Sequence, residues 1–183
     1  MLGNDVRLVQ RAIEPCKAVL AAARENGKIL IIHTREGHRP EMVDVYNHKN
    51  RNNIIGSQGQ MGKILIRGER GHDIIDELYP IKGEAVIDKP GKGSFYATDF
   101  ELILNRNAIS TLLVCGVTTE VCVHTTVREA NDRGYHCIVV EDACASYNDE
   151  FHRVAIAMIS AQGGIFGSVT TSEKLINYIQ KSV

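Results

Sequence analysis

Cys122 follows the apolar run Leu112-Leu113-Val114-Cys115-Gly116-Val117 through a short passage, Thr118-Thr119-Glu120-Val121. The pattern puts it in the first turn of a helix entered straight from a buried strand. Free amide N–H groups and the positive end of the helix dipole favour a thiolate there and can hold a developing oxyanion, so Cys122 reads as a nucleophile. Lys89 directly follows a second apolar run, Glu84-Ala85-Val86-Ile87-Asp88. An ammonium projecting from that strand end would stabilise a thiolate or developing negative charge, although its position alone suits a surface lysine equally well. The stretch Gly91-Lys92-Gly93-Ser94 lacks the GxxxxGK[ST] frame of a phosphate loop and reads as a turn.

The elements that must bring these residues together alternate along the chain. Apolar periodicity predicts helices over 14–26, 99–105, 119–133, 149–161 and 172–181, and strands over 28–33, 84–88, 111–117, 136–141 and 168–170. From Thr34 to about Gly62 the chain is polar and reads as a long excursion near the site. This alternation predicts one domain over residues 1–183, an α/β fold of three αβα layers around a mainly parallel sheet. Ligand sites in such folds lie beyond the carboxyl ends of the strands. His33-Thr34-Arg35-Glu36-Gly37-His38, Lys89 to Ser94, and Cys122 each leave such an end.

Composition narrows the partners. With 183 residues, 44% apolar and net charge −1, the chain carries no electrostatic footprint for nucleic acid or an anionic membrane. A small-molecule ligand or a protein partner fits better. No apolar run approaches the ~20 residues of a membrane span, and a basic and apolar leader pattern is not seen at the N-terminus, so a cytoplasmic location is expected. Five cysteines, an odd number without CxxC or Cys/His metal spacing, read as free thiols. Cys16, Cys115, Cys137 and Cys144 fall in or beside regular elements, where they serve as small apolar side chains.

The run Val86 to Asp99, followed by Gly116 to Ala130, resembles the isochorismatase-like cysteine hydrolases, and the likeness covers nearly the whole chain. Within that family it is most similar to the ureidoacrylate and biuret amidohydrolase branch. His33 to His38, Arg67-Gly68-Glu69-Arg70-Gly71-His72-Asp73 and Gln162-Gly163-Gly164-Ile165-Phe166-Gly167 carry this part of the likeness. The resemblance implies an Asp-Lys-Cys triad with Cys122 as nucleophile and Lys89 as the catalytic lysine. It implies a cis peptide at Val117-Thr118, aiming the N–H groups of Thr118 and Cys122 at a substrate carbonyl oxygen. It also implies a contact between Gln162 and a urea-like group, a thioester intermediate, no metal or organic cofactor, and a homo-oligomer. The expected reaction is cleavage of a C–N bond in a small ureido or carbamoyl amide.

One departure bears on all of this. The family's aspartate ends an N-terminal strand in an Asp-x-Gln-x-x-Phe pattern that this sequence does not contain, and Asp5 aligns better with the start of the following helix. In a sheet of order 3-2-1-4-5-6 that strand is central, so its lack would leave two inner strand edges unpaired. The expectation is a shortened chain, a rearranged sheet, or a strand contributed by another chain. Two further readings follow: an inactive relative acting as a binding or assembly subunit, and a redox-sensing thiol at Cys122.

The remaining polar residues carry paired readings. Arg35 and His38 would clamp a substrate carboxylate or lie on a solvated loop. His124, two residues past Cys122, points to the other side of the helix and reads as a packing or interface histidine. Gln162 would otherwise cap the preceding helix near Gly163, and Asp142 reads as a turn or helix cap. Tyr96 and Phe95 would line a pocket or a subunit contact.

Overall fold

A computed structural model describes residues 6–46 and 54–181. The elements run α1 (Val6–Gln10), α2 (Ile13–Asn26), β1 (Ile32–Glu36), β2 (Gln58–Gly59), β3 (Gly62–Lys63), β4 (Ala85–Lys89) and α3 (Phe100–Arg106). They continue with β5 (Thr111–Val117), a π-helical turn (Thr119–Val123), α4 (His124–Asp132), β6 (His136–Ala145), α5 (Asp149–Gly164), β7 (Ser168–Thr170) and α6 (Ser172–Lys181). Gly27 closes α2 in the left-handed region, φ 68°, donating its N–H to Ala23 O.

Strand alternation sorts the apolar side chains onto two faces. Leu112 and Val114 of β5 join Ile87, Leu104, Val127, Val139 and Ile159 in a core beneath α3, α4 and α5. Leu113 and Cys115 of the same strand face the other way, toward Val140, Ala143 and the α2 and α6 residues Val19, Ala22, Leu175 and Ile179. Helices therefore cover both sides of the strands, giving the three expected layers.

The expected single sheet is instead two parallel sheets, β4-β1 and β5-β6-β7, beside a short β2-β3 hairpin. Among the described residues β1 and β5 share no ladder, yet Ile32 packs against the same core as Leu112. Asp5 lies outside the described residues.

Three strand boundaries differ from the pattern read along the chain, β4 by one residue, at Ala85–Lys89 rather than 84–88. β1 occupies Ile32–Glu36 rather than 28–33, because its partner β4 begins at Ala85 opposite Ile32 and runs to Lys89 opposite Glu36. The polar excursion accordingly starts at Gly37, and its stretch 47–53 lies outside the described residues. β6 extends to Ala145 rather than to 141. Past an irregularity between Val114 and Gly116, it pairs Cys144 with Gly116 and Ala145 with Val117. Among the described residues no helix is long and apolar enough to cross a membrane.

Candidate active site

Cys122 sits where β5 hands over to α4. The Val117-Thr118 peptide is cis. The next residues form a π-helical turn rather than the start of the predicted α-helix, with Val123 N donating to Thr118 O at 3.3 Å. Single π turns are rare and recur at functional sites, since they re-aim side chains at a helix start. Cys122 is half-buried there.

Lys89, at the carboxyl end of β4, is 2% exposed. Its Nζ donates to Lys92 O at 2.7 Å and Gly91 O at 3.1 Å, and lies 3.5 Å from Cys122 Sγ. The ammonium has no carboxylate within 4.0 Å among the described residues. Burying a cation against neutral carbonyls costs free energy that an adjacent thiolate would offset.

A second set of contacts ties the two residues' backbones together. Thr126 Oγ1 donates to Cys122 O at 2.8 Å, one helical turn back, and accepts from Ser94 N at 3.2 Å. Ser94 Oγ lies 3.1 Å from the same hydroxyl. Glu129, one turn further along α4, accepts from Phe95 N at 3.3 Å. Gly93 makes room for that carboxylate, since a Cβ there would stand 1.9 Å from Glu129 Oε2. The sequence reading gave no role to Ser94, Thr126 or Glu129; the i, i+4 and i, i+7 offsets of Thr126 and Glu129 from Cys122 were the available signal, and Ser94 carried none.

The structure sets Arg35 and His38, expected as a carboxylate clamp or as part of a solvated loop, within the fold. Arg35 lies on β1 opposite Asp88, and strand alternation turns both to the face away from Glu36 and Lys89. Its guanidinium donates to Asp88 Oδ1 at 2.7 Å and is also paired with Asp73, so it is engaged within the fold. His38 is 3% exposed, packed in a bridge to Ile66, with Asp44 Oδ2 3.6 Å from Nδ1 and Glu36 Oε1 3.9 Å from Nε2. Gln162 stands exposed and left-handed, φ 52°, in a break that ends the regular part of α5, and is not among the hydrogen-bond partners of Lys89 in the described residues.

Tyr96 is exposed, its hydroxyl 3.3 Å from that of Tyr46 and its ring against Gly91 in the Lys89 turn. The hydrogen bond with Tyr46 raises its phenol above the ordinary range. Phe95 is a core residue, edge-on to Phe100 with centroids 4.9 Å apart. His124 is buried, accepts from Arg128 Nε at 3.0 Å, and packs toward Phe166, which makes it a packing residue rather than a partner for Cys122. Burial first, then the Arg128 charge, lowers its pKa. Asp142 caps α6, accepting from Ser172 N at 2.7 Å. Burial pushes the Cys137 and Cys144 thiols up to about 11 and about 12, which keeps both protonated and inert.

Comparison with known proteins gives the family and the fold. The isochorismatase domain family matches residues 2–174. The ureidoacrylate amidohydrolase RutB of Yersinia enterocolitica is 30% identical over 190 residues, covering 100% of this chain and 81% of the relative. Among solved structures, a cysteine hydrolase from Pseudomonas syringae pv. phaseolicola superposes with a TM-score of 0.86 at 26% identity, covering 97% of this chain and 84% of that one. N-carbamoylsarcosine amidase from Thermoplasma acidophilum superposes with a TM-score of 0.73 at 25% identity, covering 92% and 87%. With that match across its length and Lys89 brought against Cys122 at the strand ends, the chain belongs to the isochorismatase family of hydrolases.

Proposed function

We propose that the protein is a cysteine-dependent amidohydrolase that cleaves a C–N bond of a small ureido or carbamoyl amide through a thioester on Cys122. The observation that carries this reading is the buried Lys89 ammonium 3.5 Å from Cys122 Sγ. The amides named in two similar proteins, ureidoacrylate and N-carbamoylsarcosine, support the substrate class.

In this reading Cys122 Sγ attacks the carbamoyl carbon while Lys89 holds the thiolate in place. The carbonyl oxygen takes the negative charge and is received by the N–H groups of Thr118 and Cys122. The C–N bond breaks as ammonia or an amine leaves with a proton. Water then adds to the thioester, the C–S bond breaks and the thiol is restored. The proton that leaves with the nitrogen is the one Sγ gave up, and the water that opens the thioester returns one to Sγ; no carboxylate stands within 4.0 Å of Lys89 Nζ among the described residues. Tyr96, beside Gly91, lines the approach to this turn.

The unmatched ammonium also favours a second reading, a binding or assembly subunit without turnover. Ammonia release from ureidoacrylate, biuret and N-carbamoyl amino acids separates the two. The hydrolase reading expects release by the native chain, none by Cys122→Ala, and an acyl adduct on the Cys122 peptide in quenched reactions. Release that persists in Cys122→Ala rules out the thioester; a silent native chain without adduct leaves the binding subunit.

A further inference from the structure

The position of Lys89 depends on a turn that has little stiffness of its own. Two of the three groups around Nζ are main-chain carbonyls, Gly91 O at 3.1 Å and Lys92 O at 2.7 Å. Lys92 is flanked by Gly91 and Gly93, and glycines on both sides leave a backbone many conformations. Something outside the turn must aim the Lys92 carbonyl.

The side chain of Lys92 reaches back across the sheet end. Its Nζ donates to both carboxylate oxygens of Glu36, at 2.6 and 2.8 Å. Glu36 is the last residue of β1 and stands opposite Lys89 in the β1-β4 ladder, with Gly37 N donating to Lys89 O at 3.0 Å. The carboxylate is sheltered, 10% exposed, while the Lys92 side chain is 52% exposed. The strand paired with the one that carries Lys89 thus holds the residue that anchors its turn. At the far end of the turn, Ser94 is bound to Thr126 and through it to Cys122.

We propose that Glu36 and Lys92 are positioning residues for Lys89: their ion pair fixes the turn so that its carbonyls point the Lys89 ammonium at Cys122. This rests on the reading that Lys89 acts on Cys122, and it assigns a purpose to a pair that would otherwise be a half-exposed surface bridge. The Lys92 end of the pair is exposed, so loss of the pair is expected to cost little stability and to act chiefly on Lys89.

The test is the rate at which iodoacetamide alkylates Cys122 at neutral pH in the full chain, read cysteine by cysteine by peptide mass spectrometry and needing no known substrate. Lys89→Met slows Cys122 about tenfold, the order expected when an opposite charge within about 4 Å is lost. Lys92→Met and Glu36→Gln each give a large part of that slowing, and the double variant is no slower than either, because both remove one strap. Lys92→Arg, which keeps the charge and reach, restores the native rate. Native rates in Lys92→Met and Glu36→Gln beside a slow Lys89→Met overturn the positioning role and leave the Lys89 reading standing. A native rate in Lys89→Met overturns the Lys89 reading itself. Slowing in Lys92→Met that comes with a lowered melting temperature and is not restored in Lys92→Arg also overturns the proposal, in favour of general loosening.

Discussion

Lys89 Nζ lies 3.5 Å from Cys122 Sγ although the two residues belong to different sheets: Lys89 ends β4 in the β4-β1 pair, and Cys122 follows β5 in the β5-β6-β7 sheet. The contact spans the place where the two sheets meet without a shared ladder among the described residues. Its geometry therefore rests on the shared core and on the Ser94-Thr126-Cys122 bonds rather than on strand pairing.

Removing that ammonium is expected to slow the chemistry without abolishing binding. Lys89→Met lowers kcat/KM by about 10²–10³-fold, the size seen when one preorganised charge stabiliser is lost, while Cys122→Ala leaves no turnover. Steady-state ammonia release on the best substrate of the panel checks both. A Lys89→Met enzyme within a factor of two of the native one would remove Lys89 from the mechanism.

Thr126→Val replaces a hydroxyl that serves Cys122 O and Ser94 N at once. The buried Ser94 N–H is then left without its acceptor, which costs about 1–3 kcal/mol. Thermal or urea unfolding should show that loss, with Thr126→Ser recovering most of it. Equal stability of the valine variant would mean that these bonds do not join the two halves of the site.

Gly167 precedes β7 at φ 146°, and a Cβ there would stand 2.4 Å from the carbonyl oxygen of Cys137 in β6. Backbone cannot swing aside as a flexible side chain can. Gly167→Ala is therefore expected to destabilise the chain by about 2–4 kcal/mol, among the larger effects of a single substitution. A denaturation midpoint unchanged from the native chain would contradict the close β6-β7 approach.

Glu84 joins α2 to the start of β4. Arg24 binds both its carboxylate oxygens, at 2.7 and 2.9 Å, and Ile81 N and His33 Nε2 add to them. These bonds, the Arg24 pair foremost, hold its pKa down from 4.5 to about 2. A folded value below the unfolded one means stability that is complete above pH 4.5 and drains away as pH falls toward 2. Glu84→Gln should thus be less stable than the native chain near neutrality, with the gap closing across that acid window. Urea midpoints measured from neutral pH downward test this, and a gap that is constant with pH would refute it.

Much of the architecture was legible along the chain because burial leaves a local imprint. β5 and β7 lie where alternation and apolar runs put them, α6 spans the expected residues, and the turn after β5 presents Cys122. Strand partners are not local. Glu36 became the end of β1, and Arg35 came to face Asp88, because β4 lies more than 40 residues further along and its register alone decides which side chains share a face. The π-helical form of the Cys122 turn, the Ser94-Thr126 link and the burial of Lys89 likewise arise where separate strand ends converge. The sequence by itself determined which residues could do chemistry and which elements carry them. Only the tertiary structure decided which of them meet, since hydrogen bonds and ion pairs reach about 3–4 Å and their partners here lie tens of residues apart.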